Sequence, residues 1–90
     1  MKISNKILLK ALSKNKINGN DLLNKSLQEL KLDLNDPNNS LLNLILDIEE
    51  IIKHKIPDNE IIYWEYVGDI TKSLDKLFKN NPPKIEISLE

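Results

Sequence analysis

Between residues 37 and 54 the side chains of Leu41, Leu44, Ile45, Ile48, Ile51 and Ile52 fall within roughly a third of a helix circumference. An apolar stripe of that width must be covered by other chain, so the rest of the sequence has to supply helices or loops that pack on it. The run is bounded on both sides. Asn35-Asp36-Pro37 precedes it, where the residue before proline is driven out of the helical region and Pro37 suits a first helical turn. Ile56-Pro57 closes it by the same restriction. A helix is therefore expected from Pro37, or a few residues later, to about His54.

Leu42 and Leu46 lie off this stripe, about 100° round the helix, together with Glu49 and Lys53. Two explanations stay open: a wide buried face, or exposed apolar anchors rimmed by charge, which is the composition of a binding surface.

Other segments carry helical spacing as well. From Ile3 to Lys14 the positions Ile3, Ile7, Leu8, Ala11 and Leu12 share one face, with Lys2, Lys6, Lys10 and Lys14 forming a like-charge ridge. Asn18-Gly19-Asn20-Asp21 offers a break and a cap. After it Leu23, Leu27, Leu30 and Leu34 predict a helix over roughly 19 to 33, with Leu22 at its margin. Asp58 or Asn59 can cap a short turn through Glu60-Ile61-Ile62-Tyr63-Trp64. Gly68-Asp69 opens a last helix on which Ile70, Leu74, Leu77 and Phe78 form the stripe, closed by Asn80-Asn81-Pro82-Pro83. The pattern predicts an all-α fold: a small antiparallel four-helix bundle with an additional very short helix or turn near residues 59 to 65. Residues 1 to 80 are expected to form the single domain and 81 to 90 a flexible tail, in which Lys84 to Leu89 alternates apolar and polar and Leu89-Glu90 reads as a remnant of cloning.

Ninety residues leave room for one small core. At 40 % hydrophobic and 30 % charged, the composition lies in the globular range and away from disorder. The absence of cysteine excludes disulfides and thiolate-bound zinc. No run of 18 apolar residues occurs, and lysines are threaded through the apolar start where a leader would carry an uninterrupted block. A cytoplasmic protein without membrane contact is expected.

The net charge of −1 hides a polarity. Residues 1 to 32 hold seven lysines against two acids, net +5, whereas residues 33 to 65 hold eight acids against two lysines, net −6. Such an acidic middle either keeps a small bundle soluble or faces a basic partner. Nucleic acid is not expected to be that partner's counterpart at the other end, because the lysine ridge has neither arginine nor aromatic residues among it.

Catalytic chemistry is hard to assemble from these residues. His54 is the only histidine and lies at a helix end between Lys53 and Lys55, without a second ligand for a metal. Glu49 and Glu50 are neighbours on a helix and point about 100° apart, so they cannot share a proton. Gly19 and Gly68 make no phosphate loop, and no nucleophile, base and orienting group stand together. No enzymatic activity, metal or cofactor is expected. Tyr63 and Trp64 remain: two adjacent aromatics on a short turn cannot both point inward, and these are the residue types that dominate binding hot spots.

At these residues the chain resembles a family. Glu49-Glu50, three residues, His54, a Pro-containing turn and then an acidic residue before Ile-Ile-Tyr-Trp resemble the immunity proteins of nuclease colicins and pyocins. Members of that family carry Glu-Glu-x-x-x-His followed by an Asp-Leu-Ile-Tyr-Tyr-Pro turn. The likeness extends over roughly residues 19 to 82. It implies a four-helix bundle with a very short third helix that binds its cognate toxin and blocks it. Position by position, it implies an interface of Leu42, Ile45 and Glu49, then Glu60, Tyr63 and Trp64, to which the off-stripe Leu46 is adjacent. Asn38 and Asn39 stand where acids are usual and Glu65 replaces a proline, while residues 1 to 16 have no counterpart there. That start, followed by Lys16-Ile17-Asn18, is similar to the immunity proteins of tRNA-cleaving colicins.

A second resemblance competes. Ser26 to Asp33, with Ile48-Glu49-Glu50, Ile56-Pro57-Asp58 and Val67-Gly68-Asp69, is similar to acyl carrier proteins. Their chemistry resides in a serine bearing phosphopantetheine in an Asp-Ser-Leu turn. Here the turn reads Asp33-Leu34-Asn35, and Ser40 in Asn39-Ser40-Leu41 is the only substitute, about two residues too close to Pro57.

Overall fold

A computed structural model describes residues 2 to 81; Met1 and the segment from residue 82 onward, where the tail was expected, lie outside the described residues. Four α-helices make the framework: α1 (Ile3–Lys14), α2 (Ser40–Ile52), α3 (Asp58–Ile61) and α4 (Val67–Asn80). The all-α fold is as the sequence predicts, and among the described residues there is no strand, only a single bridge between Ser26 and Tyr66. α1 packs against both α2 and α4. Their facing stripes close the core: Ile7, Leu8, Ala11 and Leu12 from α1, Leu41, Leu44, Ile45, Ile48 and Ile52 from α2, and Val67, Ile70 and Leu74 from α4.

One expected helix is absent. Residues 19 to 33 form a short 3-10 turn at Leu22–Asn24, then a separate single turn, and no α-helix. Local hydrogen bonding explains the interruption. The amide of Glu29 donates to Ser26 Oγ and the amide of Ser26 donates to Glu29 Oε1, both at 3.0 Å, a reciprocal box that starts a new turn in the middle of the apolar stripe. That turn stops after one revolution. Lys31 enters the left-handed region at φ 57, and the amides of Leu32 and Lys31 donate back to the carbonyls of Leu27 and Gln28. The segment is then clipped to the α3–α4 connection, since the amide of Leu27 donates to Glu65 O and the amide of Val67 to Lys25 O, each at 2.9 Å. Leu22, Leu27 and Leu32 are buried all the same. The loop fills core positions that a second long helix would have filled, and the fourth helix of the bundle is the one-turn α3.

The ends of the other elements follow from recognisable signals. α1 closes with Lys16 in the left-handed region while the amide of Ile17 donates to Leu12 O at 2.9 Å. Between Asp33 and α2 the chain runs through two Asx turns, in which the amides of Asn35 and Asn38 donate to the carboxylates of Asp33 and Asp36. α2 therefore begins at Ser40, a few residues beyond Pro37. The expected side-chain cap from Asp58 or Asn59 is not made: Pro57 occupies the cap position of α3 and Asp58 is already in its first turn. At α4 the Asp69 carboxylate accepts from the amides of Tyr66 and Glu65, at 2.8 and 2.9 Å. The Tyr66 amide, helped by that of Glu65, holds Asp69 below the usual aspartate range against the opposing effect of burial.

Two of the four ridge lysines are tied to neighbours, Lys2, which caps α1, to Asp75 on α4 at 3.3 Å and Lys14 to Asp47 on α2 at 3.8 Å. Asn15 strengthens the second link by donating to Asp47 Oδ2 at 2.8 Å. The acid of the middle segment thus serves partly to hold α1.

Candidate functional site: the groove between α2 and α3

The two leucines that leave the apolar stripe of α2 are exposed, Leu42 at 40 % and Leu46 at 52 %. Opposite them stand Ile61 at the end of α3, half-buried, and Ile62 just beyond it, 69 % exposed. With Leu34, Ile56 and Pro57 these residues line a groove of about 710 Å³ whose floor is Ile45. Its charged edge consists of Glu49, Lys55 and Asp58. Isolated exposed leucines need no explanation, but four large apolar side chains converging on one depression mark a surface suited to an apolar ligand or partner.

The groove exists because α3 is so short. α2 ends where Lys53 enters the left-handed region at φ 57, and the connection to α3 is fixed by Glu49, whose Oε2 accepts from the amide of Ile56 at 2.7 Å. Glu49 therefore does two things. It shapes the turn that leads into α3, and its side chain forms part of the groove wall. α3 contributes no fully buried residue. It is held from below by a polar relay in which Trp64 Nε1 donates to Ser73 Oγ at 2.8 Å and Ser73 in turn donates to Glu60 Oε1 at 2.8 Å. Lys76 Nζ donates to the other Glu60 oxygen at 3.0 Å. That ammonium, and secondly the Ser73 hydroxyl, hold the Glu60 carboxyl below the usual glutamate range.

The residues singled out from sequence separate accordingly. Leu42, Ile45, Leu46 and Glu49 come together in the groove, with Ile45 contributing from beneath. Glu60 and Trp64 do not join them: they turn toward Ser73 on α4, and Trp64 packs against the core. Tyr63 is 79 % exposed and lines neither the groove nor the relay. The expectation that one of the two aromatics faces outward is met by Tyr63. The groove residues that sequence reasoning passed over are Leu34, Ile61 and Ile62. Leu34 carries the spacing of a helix that does not form, and Ile61-Ile62 sit in the short turn without a helical stripe of their own.

The acid around the site is unevenly engaged. Asp47 and Glu60 have cationic partners, whereas Glu50, Asp58 and Glu65 are exposed and have none among the described residues. Ser40, the first residue of α2, is half-buried. Its hydroxyl donates to Lys31 O at 2.9 Å and accepts from the amide of Asp33 at 3.3 Å. His54 is exposed, with Nδ1 at 2.7 Å from Lys55 O and no contact with the groove. Among the described residues no group of three potential ligands could hold a metal ion, and no helix is long and apolar enough to cross a membrane.

Comparison with protein-family models, curated proteins and solved structures yields no match for this chain.

Proposed function

We propose that this chain is a protein-binding module that neutralises a basic protein toxin by occluding it, as the immunity proteins it resembles do, with the α2–α3 groove as the contact surface. The observation that carries this reading is the convergence of Leu42 and Leu46 on one side with Ile61 and Ile62 on the other. These side chains supply an apolar centre that a partner can desolvate, and Glu49 and Asp58 supply negative charge at its edge. Tyr63, next to Ile62 and almost fully exposed, extends the surface by one aromatic anchor. The partner in this reading is a nuclease, and no step of its inhibition requires chemistry from this chain.

The product of the neighbouring reading frame is the partner to test, by titration calorimetry and by survival of cells that express it. Leu46→Lys places a charge in the apolar centre while leaving the core untouched, and is expected to abolish both binding and protection. Retention of full affinity by this variant would remove the groove from the interface.

A second reading, an acyl-carrier-like protein, is favoured by one observation: Ser40 opens α2 and its hydroxyl accepts from the amide of Asp33, the residue before the groove-lining Leu34. Against it, the hydroxyl is already committed to Lys31 and Asp33. Incubation with coenzyme A and a phosphopantetheinyl transferase decides between the two, because attachment of a prosthetic group that is lost in Ser40→Ala requires the carrier reading.

A further inference from the structure

An asparagine side chain is unstable wherever the backbone nitrogen of the next residue is free to reach its Cγ. Hydrogen bonding normally disarms that nitrogen. The structure sorts the twelve asparagines by this criterion. After Asn15, Asn24, Asn35, Asn38, Asn59 and Asn80 the following amides donate to main-chain carbonyls at 2.8 to 3.3 Å, and the amide after Asn39, that of Ser40, turns to the Asp36 carboxylate. Asn5 and Asn43 lie within α1 and α2, and Asn81 precedes a proline, which has no N–H. Asn18 is different. It is exposed, lies between α1 and the 3-10 turn, and is followed by Gly19, whose amide donates to no described residue. Gly19 has no side chain to obstruct the approach, and its φ of 145 belongs to a region that glycine enters freely. The nearest rival is Asn20, but Asp21 presents a side chain and is set in the left-handed region at φ 59.

We propose that Asn18-Gly19 is a site of spontaneous self-modification. The nitrogen of Gly19 attacks Cγ of Asn18, forming a new C–N bond as the bond from Cγ to Nδ2 breaks. Nδ2 departs as ammonia with the proton lost from the Gly19 amide, leaving a five-membered imide. One water then opens the ring at either carbonyl, giving aspartate or, where the main chain has shifted onto Cγ, isoaspartate. Water is the only co-reactant. Either product adds a negative charge near Lys16, and isoaspartate also inserts a methylene into the main chain. The insertion falls between two anchors, Ile17, whose amide closes α1 by donating to Leu12 O, and the buried Leu22. The isoaspartate form should therefore loosen the end of α1.

The test ages the purified full chain at mildly alkaline pH beside a short unstructured peptide spanning Lys16 to Leu22. Peptide mapping by mass spectrometry reads the exchange of an amide for an acid, and methylation by an isoaspartyl methyltransferase reads the shifted main chain. The expected result is conversion at residue 18 several-fold faster than at any other asparagine, and its loss in Asn18→Gln with conversion elsewhere unchanged. A full chain that stays unmodified while the peptide converts, or one that converts at Asn20 as fast as at Asn18, overturns the proposal.

Discussion

Trp64 and Ser73 share a hydrogen bond in which the indole Nε1–H donates to Ser73 Oγ at 2.8 Å, joining the chain just past α3 to α4. Ser73 in turn donates a hydrogen bond to Glu60 Oε1, so a single hydroxyl ties both α3, through Glu60, and the segment just beyond it, through Trp64, to α4. A helix of four residues has too few internal bonds to persist alone. Ser73→Ala leaves a half-buried indole N–H and one Glu60 oxygen without partners, which is expected to destabilise the fold by about 1–3 kcal/mol. Urea unfolding followed by the fluorescence of the single tryptophan measures this. Unchanged stability would mean that apolar packing of Ile61 and Trp64 alone fixes α3.

The two adjacent aromatics, expected from sequence to act alike, should now respond differently to truncation. Tyr63→Ala removes an exposed side chain and should leave stability within about 0.5 kcal/mol, as surface substitutions usually do. It should weaken a toxin complex by about 2 kcal/mol if Tyr63 is an anchor. Trp64→Ala removes core packing together with the Ser73 bond, and should cost about 3 kcal/mol of stability before any partner is added. Thermal melts beside binding titrations separate the two. An equal stability loss in both variants would contradict the placement of Tyr63 outside the core.

Acid should unfold the protein through carboxylates that the fold favours in their charged form. The Lys76 ammonium holds Glu60 low, the amide of Ser26 holds Glu29 low, and the amide of Tyr66 holds Asp69 low. Each binds its proton more weakly in the folded chain than in the unfolded one. As pH falls past the unfolded values, about 4.3 for glutamate and 3.9 for aspartate, the unfolded chain takes up protons first and stability drops. The loss is complete once pH has passed the lowered folded values. Melting temperature is therefore expected to be level from neutral pH to about pH 5 and to decline below it. Glu60→Gln should make that decline shallower, and an identical slope in wild type and variant would exclude Glu60 as a contributor.

Where the apolar period is long and uninterrupted, the chain is legible. The core faces of α1, α2 and α4 follow from Ile7 to Leu12, Leu41 to Ile52 and Ile70 to Leu74, and the departure of Leu42 and Leu46 from the stripe reveals half of the groove. Residues 19 to 33 mislead because Leu23, Leu27 and Leu30 keep helical spacing while Ser26 and Glu29 carry the opposite instruction. Ser-x-x-Glu is a starting signal, and inside a stripe it breaks the helix it would otherwise begin. Once that helix is gone, Leu34 is released to the groove. The role of Trp64 was hidden for another reason: its partner Ser73 is nine residues away on a different helix, and a serine among Ile70, Leu74 and Leu77 gives no local sign that it is waiting for an indole.

Lys16 and Lys31 show a stability that the chain has left unused. Both sit in the left-handed region, at φ 63 and 57, at positions where helical turns usually end in glycine. The bonds of the motif are complete at Lys16: the amide of Ile17 reaches Leu12 O at 2.9 Å and the amide of Lys16 reaches Ser13 O at 2.9 Å. A residue with a Cβ pays roughly 1–2 kcal/mol for this conformation, whereas glycine enters it freely but gives up more backbone entropy on folding. The first effect outweighs the second at this position, because neither partner bond uses the lysine side chain and Lys16 is exposed. Lys16→Gly is expected to stabilise the protein by about 0.5–1 kcal/mol, read as a shift of the urea midpoint with unchanged slope. A midpoint that moves downward would mean that the lysine stem makes apolar contacts along α1 worth more than the strain it carries.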